Sequence, residues 1–171
     1  MDAWRERPDN LRMRLKTLFL LAACTATAAG AQQPASATTP ERDTAAVYIA
    51  QANFIVSRLA TECLPVLGRA ESPKAYVAAW QERNSNFVAA SAKYLEQRVQ
   101  EAGADQADAV RAAFRKAVTE NGEAALRGLL QGHREEGCMQ GITLVDTGVL
   151  DINTKLPQYS QLEALVRWAA P

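Results

Sequence analysis

The chain has 171 residues, 48% of them hydrophobic and 22% charged, with nineteen Lys and Arg against nineteen Asp and Glu. Balanced, unclustered charge excludes the basic stripe that nucleic-acid binding needs and offers no electrostatic grip on an anionic membrane. A chain of this length can build one domain with a proper core and does not depend on many staples.

The first readable segment is Met13 to Ala31, MRLKTLFLLAACTATAAGA. Arg14 and Lys16 come first, then the apolar run Leu18 to Ala23, then the small residues Ala29-Gly30-Ala31. The segment resembles a bacterial export signal, in which positive charge stays inside, an apolar stretch enters the translocon and small side chains fit the peptidase cleft. About nineteen residues is too short to span a bilayer as a helix. The expected mature chain therefore starts near Gln32 and works in the periplasm or outside the cell. Residues 1–12 place Asp2, Glu6 and Asp9 where such a signal is cleanly positive, so they read as lying upstream of the true start at Met13, or as an extended leader to it. Leu21-Ala22-Ala23-Cys24 also resembles a lipobox, which would lipidate Cys24 and tether the protein to the envelope; membrane contact is expected only in that case. The well-formed small-x-small ending favours cleavage after Ala31.

Residues 32–40 (QQPASATTP) are small and polar with two prolines, and read as a flexible linker. The five basic and three acidic residues before Gln32 leave fourteen Lys and Arg against sixteen Asp and Glu beyond it.

From residue 41 to residue 171 the pattern is helical, with apolar residues every three to four positions. A first helix is predicted from Asp43, as N-cap, to Leu64, with Pro65 ending it. Val47, Ala50, Phe54, Leu59 and Cys63 lie near one face, and Ile49, Ile55 and Val56 widen the stripe enough for two neighbours. Ser72-Pro73 supplies a capping hydroxyl followed by proline at the first helical position, and opens a helix to Ala102 with Gly103 as its C-terminal cap. About thirty residues make a rod of roughly 45 Å. Along it Tyr76, Trp80, Phe87 and Tyr94 form an aromatic row beside Val77, Val88, Leu95 and Val99. Asp105 is the predicted cap of a third helix reaching Glu120, stopped by Asn121-Gly122. A fourth runs from Glu123 to Arg134. Residues 138–153 read as a short helix and a loop, interrupted by Gly141 and Gly148. A last helix is predicted from Pro157 to Ala169. The fold class is all-α, an up-and-down bundle of four to five helices.

Two cysteines remain beyond the signal, Cys63 and Cys138, and an even pair in an oxidising compartment reads as one disulfide. It would close a loop of about 75 residues, worth roughly 4.5 kcal/mol as an upper figure on the chain-entropy account. Their Cα atoms must then lie within about 7 Å.

No catalytic, cofactor-binding or metal site is expected. His133, Glu136 and Cys138 would be the one metal trio, but zinc sites need three or four ligands at recognisable spacing and a disulfide Cys cannot bind. His133 is the single imidazole, no Gly-x-Ser-x-Gly elbow accompanies it, and no phosphate-cradling glycine loop is present. Arg83 and Asn84 are the informative interruption, standing three and four residues after Trp80 and close to Phe87. Either they form a polar clasp, with Arg83 stacked on Trp80 or Phe87 and Asn84 paired with backbone or a neighbouring helix, or Tyr76, Trp80, Arg83, Asn84 and Phe87 form a binding surface of the residue types that carry interface energy. Exposure of Trp80 separates the two. The function expected is that of an exported, non-enzymatic module whose partner is another protein. The alternatives are a small-ligand carrier with an aromatic pocket between helices, or a lipoprotein tethered through Cys24.

Overall fold

The computed structural model describes residues 38–171. The export signal at 13–31, the lipidation candidate Cys24, the segment 1–12 and the first part of the linker all lie outside the described residues. The described fold consists of α1 (Pro40–Cys63), α2 (Pro73–Arg83), α3 (Ser85–Ala102), α4 (Ala107–Leu129), α5 (Arg134–Asp146) and α6 (Tyr159–Ala169). A 3-10 turn at Ala104–Gln106 leads into α4. The described residues are all-α, with six helices rather than four to five.

Each departure from the predicted boundaries has a local cause. The cap of α1 is Thr39, whose hydroxyl accepts the Arg42 backbone N–H at 3.3 Å, with Pro40 at the first helical position. This is the same Ser/Thr-Pro device that opens α2, where Ser72 Oγ accepts the Ala75 N–H at 3.2 Å. The linker therefore ends at Thr39. Asp43 instead sits inside the first turn, where a carboxylate suits the helix N-terminus, and pairs with Arg98 of α3. The predicted thirty-residue rod is interrupted at Asn84, which leaves helical geometry at φ −112° and ψ 21°. Its side chain is engaged elsewhere, as described below.

The reverse happens further on, where the two predicted helices at 105–120 and 123–134 are one continuous α4. Gly122 is buried inside it and does not stop it. A Cβ there would lie 2.3 Å from Cδ1 of Phe54, so the missing side chain lets the α1 ring rest on the α4 backbone. Asp105 falls in the 3-10 turn, and α4 begins at Ala107, with Gln106 at its N-cap making no side-chain capping bond. The short helix expected in 138–153 is α5, which starts earlier, at Arg134. The last helix starts two residues late, because Leu156–Tyr159 closes a hydrogen-bonded turn first.

The arrangement places α1 at the centre. Its 24 residues, about 36 Å of helix, pack against every one of the other five helices, so it is an axle and not one stave of a ring. Two apolar clusters lie along it. One gathers Val56, Leu59, Cys63, Trp80, Cys138 and Ile142; the other gathers Ala46, Ile49, Ala90, Tyr94, Leu162 and Leu165. Cys63 and Cys138 are joined in a disulfide, Cα to Cα 5.0 Å, that fastens the end of α1 to the first turns of α5 inside the first cluster. Among the described residues no helix is long and apolar enough to cross a membrane.

Candidate functional site

The five residues singled out around Asn84 do not form an accessible strip. Trp80 is fully buried, and its indole N–H donates to the Leu150 carbonyl at 3.1 Å. Asn84 is buried beside it. Its Nδ2 donates to the Trp80 carbonyl at 2.9 Å and to Asp151 Oδ1 at 3.3 Å, and its Oδ1 accepts the Ile152 N–H at 2.8 Å. The break between α2 and α3 is thus where one amide side chain reads the backbone on both sides. Arg83 is half-exposed and does not stack on Trp80; its Nε donates to Asp151 Oδ2 at 2.9 Å and its Nη2 to the Val145 carbonyl at 3.3 Å. That pairing with Asp151 holds the guanidinium above its ordinary pKa.

Tyr76 is also buried, and its hydroxyl donates to Asp146 Oδ1 at 2.8 Å while Arg69 holds Oδ2 at 2.6 Å. Burial, reinforced by the Asp146 carboxylate, pushes the phenol well above its usual range. Phe87 lies on the other side of the break, edge-on to Tyr159 of α6 at 6.1 Å between ring centroids. Tyr94 meets Trp168 in the same way at 5.5 Å. The aromatic row is therefore split at Asn84, its first half going to the disulfide cluster and its second half to α6. These residues bond to the chain's own segment 150–152, Asn84 through its amide and Arg83 through Asp151 in place of the expected ring stack. Among the described residues no buried side-chain nitrogen or oxygen lacks a partner.

His133 sits exposed at the N-cap of α5 without a side-chain capping bond, and Glu135 and Glu136 are exposed in its first turn. Cys138 is committed to the disulfide, so the trio His133, Glu136 and Cys138 is not assembled. Among the described residues no group of three His, Cys, Asp or Glu side chains could hold a metal ion.

The accessible concavities lie elsewhere. At the seam of α1, α3 and α4, a hollow of about 180 Å³ lies against Ala50, Val88, Ala92, Leu95 and Phe114. A second, of about 200 Å³, lies against Val47, Leu95, Val110, Ala113, Phe114 and Ala117. Leu95 and Phe114 are common to both. Asp43 and Arg98 stand at the edge of the second hollow, already paired with each other. A third hollow of about 180 Å³ lies between Tyr48 and Ile55 of α1 and Val149 to Ile152. These three are smaller than the roughly 300–1,000 Å³ of a typical small-ligand site and suit one or two apolar side chains, while two more open hollows of about 340 and 330 Å³, one beside Arg98 and Glu101 and one beside Thr44 and Asn121, reach that size.

The residues that sequence reasoning missed are Asp146 and Asp151. They lie in the stretch read as least regular, and only their spacing around Gly148 marked them. The fold and its linkages define a small, all-helical, disulfide-bonded protein. No family model matches the chain, and no match is found among curated proteins or among solved structures.

Proposed function

We propose that this is an exported protein, periplasmic or secreted, that works without catalysis by binding another protein. The observation that carries the binding role is the α3–α4 seam, where two adjoining apolar hollows of about 180 and 200 Å³ share Leu95 and Phe114 at the surface. Paired hollows of side-chain size suit the successive apolar anchors of a partner's amphipathic segment, spaced as on one face of a helix. The signal-like order of residues 13–31 supports export, and the buried Cys63–Cys138 bridge is consistent with it, since such bonds persist in oxidising compartments.

Two measurements test this reading. The intact mass of the protein from its own host, beginning at Gln32, would support export with cleavage; a mass beginning at lipidated Cys24 would move it to the membrane surface; retention of residues 13–31 would overturn export. For binding, a photo-crosslinking residue replaces Ala92 or Ala113, which are exposed at the rims of the two hollows, and as a control Met139, which is exposed on α5. The expected result is one discrete adduct mass from both rim positions and none from position 139. Equal adducts at all three positions, or none, would overturn the assignment.

A further inference from the structure

We infer that the N-terminal half of α4, Ala107–Ala117, is a hinged flap that opens away from α1 and α3 while the C-terminal half of the same helix stays docked. This conformational device exists independently of the binding role, and rests on that role only for its purpose.

The two halves of α4 are built differently. Its buried residues, Val118, Gly122 and Leu126, all fall beyond Ala117. That second half is also tied across helices: the Phe54 ring lies on Gly122, and Glu123 pairs with Arg58 of α1, whose guanidinium lies over the same ring. The first half has no such tie. Its ion pairs, Asp108 with Arg111 and Lys116 with Glu120, stay within α4. It meets its neighbours through half-buried Val110, Phe114 and Ala117, and both hollows of the seam touch Phe114. A ring with empty space on its flanks forfeits much of its dispersion contact, so little resists its withdrawal.

The lead-in to α4 is equally free. Gly103 stands at φ +78°, residues 103–106 are all exposed, and the helix starts without a side-chain cap. Few buried contacts, solvent-exposed backbone and no cross-helix tie are what place a segment at the low end of local stability. Opening would merge the two hollows into one groove floored by Val47, Val88 and Leu95. The hinge lies where burial begins, between Val118 and Gly122.

Released from α1 and α3, so short a helical segment does not hold its own hydrogen bonds, and hydrogen exchange on the oxidised protein therefore reports its opening. The first four amides of any helix lack helical acceptors, and amides up to residue 121 donate to carbonyls of the flap, so the comparison is between residues 111–117 and residues 123–126. Exchange at least tenfold faster in 111–117 is the expected result. Phe114→Ala should speed 111–117 by about another tenfold and leave 123–126 unchanged. Equal rates in the two segments of the unsubstituted protein would overturn the inference, whether or not the variant folds. Acceleration of both segments together by Phe114→Ala would also overturn it, since α4 would then open as one piece.

Discussion

The clasp around Asn84 and the first half of α4 are held to the same scaffold by different means. At the clasp, Trp80, Arg83 and Asn84 reach across to residues 145–152 through directional bonds, and the apolar rings fill the space between them. At the first half of α4 the contact is apolar, partial and, among the described residues, without a directional bond to another helix. Hydrogen bonds contribute modest net stability, yet leaving a buried one unmade costs about 1–3 kcal/mol, so they fix geometry more strongly than they deepen the well. Apolar contact alone permits sliding and lifting. The molecule thus combines one end whose register is fixed with a long helix of which only half is.

The largest test of this contrast is Trp80→Ala. It removes a fully buried ring and leaves the Leu150 carbonyl without its donor, and should destabilise the protein by about 3–5 kcal/mol in denaturant melts. Breaking the bridge with Cys63→Ala and Cys138→Ala together should cost about 2–4 kcal/mol, read as a lower thermal midpoint that the reduced protein reproduces. An unchanged midpoint in either case would remove the disulfide cluster as the anchor of the fold. Asn84→Ala should cost about 1–3 kcal/mol because the Ile152 N–H loses its acceptor in the interior. Gly122→Ala should cost a similar 1–3 kcal/mol by driving a methyl into the Phe54 ring. Phe114→Ala should be the mildest, below about 2 kcal/mol, since a half-exposed ring leaves a shallow cavity that water can enter. A Phe114→Ala cost matching that of Trp80→Ala would erase the difference between the two regions.

How much of this was legible depends on whether the signal was local. Ser72-Pro73 announced its helix start because both halves of the signal are neighbours in sequence; Thr39-Pro40 carries the same signal and was read as linker because of the low-complexity residues before it. The disulfide followed from an even pair of cysteines together with the oxidising compartment that the export signal implies. Gly122 was read as a stop, since nothing near it in sequence reveals that a Phe54 ring from another helix lies on it. Asn84 was recognised as a polar interruption, but its bond to Ile152 spans 68 residues, so the break in the rod could not be seen from either end. The α3–α4 hollows were invisible for the opposite reason. A row of Val, Leu and Phe looks the same whether the facing helix fills the space beside it or leaves gaps.

The central position of α1 also sets an order of assembly. Ribosomes deliver this helix before any of its five neighbours, with apolar side chains around most of its circumference and nothing yet made to cover them. Its last neighbour in the described fold, α6, is complete only at Ala169, long after Cys63 has closed α1. The cluster of Ala46, Ile49, Leu162 and Leu165 can therefore close around α1 only after α6 has been made, whereas the disulfide cluster draws on no residue of α6.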